Sequence, residues 1–593
     1  MKTLIISMPW ARRDILSIQL GGLKAYLSSK NFEVDSRYYY KDIVSYIGRD
    51  LYSDIVVNCL GDLVFSPFYS PHKKENVKKY LEHTFEAEFN FDELYNNIER
   101  FINDILYNDV NWEEYDNIAF TTSLVQFVPS LYLAKKIKEI QPSVNIIFGG
   151  ASLVDELAES VLSTFEEVDF VIKGEGEITF EELLKAIEDG HRNFKDIKGL
   201  VYRDENGETI NNNNRDLICD INTLPTPLFE DYFEHALSED DFFPPIITVE
   251  ASRGCFWGRC SFCNLNSQWH NTYREKKVEK VANEILLQAE KYKLLDFFFT
   301  DSNVSNKENL FKKLKQHNKD YILHAEVSGH LTHKDFVDMR NAGMKDIQIG
   351  IEAFSSSLLK KYTKGVSVMR NIEMLKWCSE LGITVFYNVI TGFPTTTQDE
   401  IDETLFNMTY AQYYQYPAIT GYSLSYQSEV YRNYEKYNIK GWTVPEEVKT
   451  LYDQKFLGKT APLLSAIVGY EIIQDETAEV DWSSVIDFAD YWKQSFKKNN
   501  CRCGLTYYDG GSFLIIKKSL FDREEQFTLE GIGRDIYLYC ADECKSIVQI
   551  KEAFEQITEE DLREFMEELF SLGLVYRERD LCFSLAVKCG ERW

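Results

Sequence analysis

Three cysteines, Cys255, Cys260 and Cys263, fall within nine residues at C-x4-C-x2-C spacing in the stretch Arg253-Gly-Cys-Phe-Trp-Gly-Arg-Cys-Ser-Phe-Cys263. In a chain without a secretory signal, such a cluster is read as a metal site before it is read as disulfides. The number three matters chemically. A closed structural zinc site takes four ligands, and a [4Fe–4S] cluster is ordinarily held by four thiolates. A cluster held by three leaves one iron open to a small molecule. Gly254 and Gly258 are expected to let the backbone wrap closely around an inorganic core. The residues alone leave two alternatives: a zinc knuckle completed by a fourth ligand such as His270, and three unrelated core cysteines.

The elements that must position these thiols follow from periodicity. A short apolar strand, 246–250, runs straight into the cysteine loop. Five further strands are predicted at 296–300, 323–327, 346–351, 384–390 and 418–423, with amphipathic helices between them at 278–291, 334–342, 367–381 and 398–410. Strands alternating with helices six times predict a partial (βα)6 barrel over 245–425. Active sites of such barrels lie at the carboxyl ends of the strands. Those ends carry Asp301 and Asn303, Glu326 and Ser328, Glu352, and Asn388 with Thr391-Gly-Phe-Pro394. Taken singly, each is equally a strand cap or a turn residue. As one rim of carboxylates and amides, they suit an amine, a carboxylate and ribose hydroxyls.

The cysteine loop after a first barrel strand resembles that of the radical S-adenosylmethionine (radical SAM) enzymes. The usual family spacing is C-x3-C-x2-C, and the extra residue here resembles the expanded loops of radical SAM proteins that mature ribosomal peptides. The flanks Ser252-Arg-Gly-Cys-Phe-Trp-Gly258 and Cys260-Ser-Phe-Cys-Asn-Leu-Asn266 resemble that subgroup too. The resemblance implies that Cys255, Cys260 and Cys263 bind a [4Fe–4S] cluster. It implies that S-adenosylmethionine contacts Asp301, Asn303, Glu326, Ser328, Glu352 and Asn388: Thr300-Asp-Ser-Asn303 stands at the methionine-amine position, although the usual Gly-Gly-Glu is missing. Glu326 matches a ribose contact, and Gly350-Ile-Glu352 resembles the motif beside the adenine.

Upstream, residues 1–220 read as an open α/β, Rossmann-like (flavodoxin-type) domain. Its near-continuous apolar strands at 3–7, 32–39, 117–121, 144–148 and 169–172 suit a parallel sheet covered on both faces. A helical insertion is expected at 73–109, and amphipathic helices at 131–140 and 153–165. The strand-end loops carry Pro9-Trp10, Thr121-Thr-Ser123, Gly149-Gly-Ala-Ser152 and Lys173-Gly-Glu-Gly-Glu177. Ligands of such sheets bind at the carboxyl edge. The order of this domain and the cysteine loop resembles the cobalamin-dependent radical SAM class, which implies cobalamin contacts from Trp10, Ser123, Gly149, Gly150 and Gly174. The Asp-x-His-x-x-Gly signature is absent, so the cobalamin of this chain would bind without a histidine from that motif; the alternative is a domain that has lost it.

Residues 221–244 are a linker stiffened by Leu224-Pro-Thr-Pro227, preceded by a hairpin around Glu205-Asn-Gly207. Residues 426–500 read as a helical extension. Over 501–593, a strand at 512–517, three helices near 534–539, 546–555 and 559–572, and a terminal hairpin predict a winged-helix-like module. Its third helix carries six acidic residues, and the whole chain is at −30 (65 basic against 95 acidic). That argues against a nucleic-acid backbone as partner, since such a partner needs a basic footprint. The module instead resembles the precursor-peptide recognition elements of peptide-modifying enzymes, which implies a bound leader segment. Cys501, Cys503, Cys540 and Cys544 are read as buried thiols, with a second metal site as the alternative. No apolar run approaches membrane-span length, and twelve cysteines without a signal peptide predict a reducing, cytoplasmic setting.

The combined expectation is an α/β enzyme carrying a [4Fe–4S] cluster, S-adenosylmethionine and cobalamin. It would take an electron from a donor and C-methylate an unactivated carbon of a ribosomally synthesised peptide. The alternative is a non-methylating radical SAM peptide enzyme: an epimerase, a cyclase or a thioether-forming enzyme. A leader-binding zinc scaffold without turnover is the reading from outside enzymology.

Overall fold

The computed structural model describes residues 1–85, 89–151, 153, 155–235, 244–266, 269, 271–304, 309–444, 449, 451, 471–474, 480–521 and 523–589. His270, Ser152 and much of the 426–500 extension lie outside them.

The N-terminal sheet has the order β2-β1-β3-β4-β5-β6-β7. Its first five strands, β1 (Lys2–Ser7), β2 (Glu33–Tyr38), β3 (Asn117–Thr121), β4 (Asn145–Gly149) and β5 (Phe170–Ile172), run parallel in the doubly wound order 2-1-3-4-5. Every β3 residue is buried, as expected of a strand covered on both faces. The hairpin β6 (Leu200–Arg203) and β7 (Thr209–Asn211) adds antiparallel to β5, so it extends this sheet instead of serving as a connector. The helical insertion is longer than the sequence reading placed it. It begins at Tyr39, directly after β2, and its buried Phe65, Phe68, Phe101 and Trp112 build the domain's second core.

The central sheet is parallel, in the order β14-β13-β12-β11-β8: β8 (Ile247–Val249), β11 (Asp296–Phe299), β12 (Ile322–Val327), β13 (Met344–Ile349) and β14 (Thr384–Phe386). The two-residue strands β9 (Ser252–Arg253) and β10 (Arg274–Glu275) pair antiparallel at the foot of the cysteine loop. The predicted fifth barrel strand is broken at Tyr387. Its continuation β15 (Asn388–Thr391) pairs parallel with β16 (Ala418–Gly421), and Glu352 bridges it to the central sheet. These are the six strands expected. Side chains alternate along each one: on β12, Leu323, Ala325 and Val327 are buried beneath the helices, whereas His324 and Glu326 face the barrel interior and are partly accessible.

Beyond the barrel, β17 (Gly441–Thr443) pairs with β18 (Glu471–Ile473). A three-stranded meander follows, β19 (Leu505–Asp509), β20 (Phe513–Leu520) and β21 (Arg523–Glu530), of which the sequence reading had only the middle strand, at 512–517. The helix Gly531–Tyr539, β22 (Lys545–Ser546), helices Ile547–Ala553 and Glu559–Ser571, and the hairpin β23 (Val575–Glu578) and β24 (Leu581–Ser584) then give winged-helix topology. The closing strand β25 (Val587–Lys588) returns to β19. This module is seated on the barrel helices. Trp377 Nε1 donates to the Asp542 carbonyl (2.7 Å), Tyr576 Oη to Asn407 Oδ1 (3.1 Å), and Tyr410 stacks on Phe570 at 4.9 Å.

Among the described residues, no helix is long and apolar enough to cross a membrane.

Candidate functional site

The cysteine loop leaves β8 and is shaped by two staples. Asn266 folds back on Cys255: its Oδ1 accepts from the Cys255 N–H (2.6 Å) and its Nδ2 donates to the Cys255 carbonyl (2.8 Å). The loop's glycines serve this packing. A Cβ on Gly258 would sit 1.9 Å from Asn266 Nδ2, and one on Gly254 (φ +86°) would sit 2.3 Å from the Thr272 carbonyl oxygen. Contact within the loop itself is thus enough to require both glycines.

Cys255, Cys260 and Cys263 line one cavity of about 200 Å³ together with Asn303, Glu326, Ser328 and Glu352. Four of the six strand-end positions thus meet the three thiols. Asp301 does not face the cavity. Buried to 2% exposure, it accepts from the Ala251 N–H (2.9 Å) and the Ser252 hydroxyl, so its carboxylate holds the root of the cysteine loop. Asn388 is not among the lining residues either. It lies just past the break at Tyr387, and its carbonyl accepts from the Glu352 N–H (3.1 Å).

The cavity also takes in Trp257, His330, Gln348 and Lys364, which sequence reasoning missed. The Trp257 and His330 rings lie against each other on its wall, 4.6 Å apart and tilted by 42°. Lys364 Nζ lies 3.3 Å from Glu352 Oε1, an approach possible because a Cβ at Gly350 would stand 2.6 Å from that ammonium. Glu352 itself holds φ +64°, a left-handed conformation unusual for a non-glycine residue. Only the Lys364 position, fifteen residues beyond the end of β13, carried no signal at all; His330 and Gln348 stand beside residues that were singled out.

Burial, and then the nearby Glu352 carboxylate, push Glu326 up to about 7. Burial likewise pushes the Cys260 thiol up to about 12, and raises Cys263. Thiolates at such a place need a positive partner, which a bound metal supplies. The donor set fits a polynuclear centre better than a single ion. Zinc–sulfur bonds of about 2.3 Å imply sulfur–sulfur edges of about 3.8 Å. Among the described residues, the one trio of His, Cys, Asp or Glu with ligand atoms all within 4.8 Å is Asp231, Glu234 and His235, so the three thiols stand wider than that. Among the described residues, Cys501, Cys503, Cys540 and Cys544 belong to no such trio; of these four, read as buried thiols, only Cys540 is buried, Cys503 and Cys544 are partly buried and Cys501 is exposed.

The carboxyl edge of the N-terminal sheet meets the same loop. Arg253 donates to Glu175 (2.5 Å), Glu177 (2.6 Å) and Glu250 (2.8 Å), and Arg274 donates to Glu175 (2.9 Å) and to the Ile218 carbonyl (2.7 Å). The Lys173–Glu177 stretch, read as a ligand loop, therefore spends its carboxylates on a clasp to the barrel. From the loop after β1, Ile15 pairs with Ile246, and the Arg12 guanidinium lies 5.8 Å from the Phe298 ring in the barrel interior.

The residues expected at cobalamin are placed unequally. Trp10 is packed in the domain core against Tyr52 and Phe65, 3% exposed, with its Nε1–H lacking an acceptor among the described residues. Gly149 ends β4. A Cβ on Gly150 would strike the Thr122 carbonyl oxygen at 2.2 Å, so loop-to-loop packing already requires glycine there. Gly174 (φ +69°) has open space around it, and Ser123 is partly exposed after β3. Of the five, the open Gly174 and the partly exposed Ser123 are the positions with room for a large ligand over the sheet.

The barrel that carries the three thiols is also where the chain matches a known family: residues 249–407 match the Radical SAM superfamily model. Its relatives include cobalamin-dependent radical SAM methyltransferases. The chain is 28% identical over 308 residues (50% of this chain, 66% of the relative) to an uncharacterized methyltransferase of Pyrococcus horikoshii. It is 26% identical over 291 residues (46% and 53%) to the hopanoid C-3 methylase of Methylococcus capsulatus. It is 27% identical over 192 residues (32% and 28%) to the cobalamin-dependent radical SAM methyltransferase TokK of Streptomyces tokunonensis. The match thus spans two thirds or less of these relatives' own length. The structure of the cobalamin-dependent S-adenosylmethionine radical enzyme OxsB covers 96% of this chain and 71% of its own at TM-score 0.50 and 16% identity, a likeness of fold.

Proposed function

We propose that this chain is a radical SAM methyltransferase, with a [4Fe–4S] cluster, S-adenosylmethionine and cobalamin, that methylates an unactivated carbon of a ribosomally synthesised peptide. The observation that carries the reading is the single cavity at the barrel mouth where three thiols meet the polar ends of β11, β12 and β13. The names of the methyltransferase and methylase relatives support the reaction class. When bound, the cluster supplies the electron that cleaves S-adenosylmethionine, and cobalamin supplies the methyl group.

The chain's own residues bind and orient. Cys255, Cys260 and Cys263 would hold the cluster. Asn303 and Ser328 offer amide and hydroxyl groups on the cavity wall, and Glu326 offers a carboxyl that is half-protonated near neutral pH to the ribose hydroxyls. Lys364 holds Glu352 in its left-handed turn beside the adenine position. The Trp257–His330 pair keeps water from one side of the cavity.

The peptide part of the proposal rests on the C-terminal region. Its winged-helix module is supported by the observed topology, but β23 is packed on the barrel, with Glu578 accepting from the Met369 N–H (2.9 Å). The edge open to an added strand is instead β21, eight residues with no outer partner among the described residues.

The test is anaerobic reconstitution with iron, sulfide and hydroxocobalamin, desalting, and metal counting, followed by mass spectrometry of candidate precursor peptides. About four irons and one cobalt per chain, with a peptide gaining a methyl group, is the expected result. Iron without cobalt would move the chemistry to the non-methylating alternative. Protein without iron would overturn the reading.

A further inference from the structure

Cys260 and Cys263 border a second space. Besides the 200 Å³ cavity facing the barrel, they line a separate cleft of about 650 Å³ on the outside of the cysteine loop. Arg259, Lys360, Lys361, Arg432 and Lys436 line that cleft, against the single carboxylate of Glu429. In a chain with a net charge of −30, such a gathering runs against composition. Lys361 is matched by Glu400 (2.8 Å) and Lys436 by Glu429 (3.1 Å). Arg259, Lys360 and Arg432 are exposed and have no carboxylate partner among the described residues.

The cleft is built from three chain segments that are stitched to one residue of the cysteine loop. Ser261 donates its N–H to the Tyr362 carbonyl (3.0 Å) and its hydroxyl to the Lys361 carbonyl (2.8 Å), and its own carbonyl accepts from the Val430 N–H (3.1 Å). The cationic side chains of the helix Ser356–Lys361 and of the 429–437 segment are therefore held in fixed register with Cys260 and Cys263. The barrel-side cavity would be filled by S-adenosylmethionine. The outer cleft is the more open of the two spaces that these cysteine residues line.

We propose that this basic cleft is the docking surface for an acidic one-electron carrier protein, one holding a reduced flavin or iron–sulfur centre. The inference rests on the reading under Proposed function. One electron leaves the reduced carrier, which is oxidised by one unit, and enters the cluster held by Cys255, Cys260 and Cys263, which is reduced by one unit; no bond is made in that step. Charge complementarity sets both the encounter rate and the orientation of such a pair, and it weakens with salt.

The test uses the full chain, anaerobically loaded with iron and sulfide, and a bacterial flavodoxin as the acidic probe. Affinity is measured at low and high ionic strength for the wild type, for the double variant Lys360→Glu/Arg432→Glu, and for the control Lys79→Glu on the distant insertion. The expected result is salt-sensitive binding, weakened at least about tenfold by the double variant and unchanged in the control, roughly what losing two rim charges does. Iron content and reduction by dithionite should be the same in all three proteins, which separates docking from folding. Equal affinity of wild type and double variant, with the cluster intact, would overturn the docking surface alone. Binding of inorganic pyrophosphate by the wild type and not the variant, with flavodoxin affinity unchanged, would make the cleft a small-anion site and also overturn it. A wild type that holds no iron would overturn both this inference and the reading beneath it.

Discussion

Asn266 shows how much of the site depends on one side chain. Both ends of its amide are spent on the backbone of Cys255, so the first thiol is aimed by a residue eleven positions downstream. Removing the amide would strand a partly buried N–H and carbonyl, a cost of about 1–3 kcal/mol. Asn266→Ala is expected to fold yet retain less iron after reconstitution, and Gly258→Ala, which drives a methyl into the same amide, should do likewise. If both variants hold iron as the wild type does, the staple is not what shapes the loop. The residue types at the site were legible because thiols and strand-end carboxylates announce themselves. Their directions were not. Asp301 and Glu326 stand at equivalent strand ends, yet one carboxylate turns into the loop root and the other into the cavity, a choice made by Ala251 and Ser252, which no local pattern reveals.

At the scale of elements, the barrel strands were readable because each needs an apolar face under its helix. The meander was not, because strands such as Arg523–Glu530 are largely exposed and carry charges at the positions that would signal a core. The barrel interior holds a second feature with a measurable consequence. His324 on β12 lies between Asp296 on β11 (2.7 Å) and Asp346 on β13 (2.8 Å), tying three adjacent strands at a level below the cysteine site. Burial alone would lower this imidazole; its hydrogen bonds to the two carboxylates outweigh burial and raise it to about 9. A raised folded-state value stabilises the protein fully below the ordinary histidine range near 6.5. That stability is lost as pH rises through about 9. The contribution is on the order of 2 kcal/mol once partial exposure of the aspartates is allowed for. Thermal unfolding of the wild type should therefore weaken between pH 7 and pH 9.5, and His324→Gln should flatten that slope. An unchanged slope in the variant would assign the loss to other groups.

At the scale of the whole molecule, an ionic clasp joins the N-terminal domain to the barrel, beside a shared apolar core, in the place where a ligand loop was expected. Glu175 and Glu177 come from the start of the helix Gly176–Glu188 that follows β5, Arg253 and Arg274 from the foot of the cysteine loop, and Glu250 from just past β8. Burial alone would lower the Arg253 guanidinium, but Glu177, Glu250 and Glu175 keep it well above its ordinary value. Pairs 76 and 78 residues apart cannot be seen in a local pattern, which is why Lys173-Gly-Glu-Gly-Glu177 read as turn or ligand chemistry. A buried pair of this kind adds little net stability over an apolar contact, whereas removing one partner leaves uncompensated charge and costs about 3–5 kcal/mol. Arg253→Ala should therefore uncouple the N-terminal sheet from the barrel. Calorimetry would show two unfolding transitions where the wild type shows one, and limited proteolysis would cut first between the two sheets. Adding Glu177→Gln to Arg253→Ala should recover part of the loss, because it removes a carboxylate left without its cation. A single transition at the wild-type temperature in Arg253→Ala would mean that the apolar contact beneath the clasp suffices, and that the two sheets are joined by packing around Ile15 and Ile246 instead.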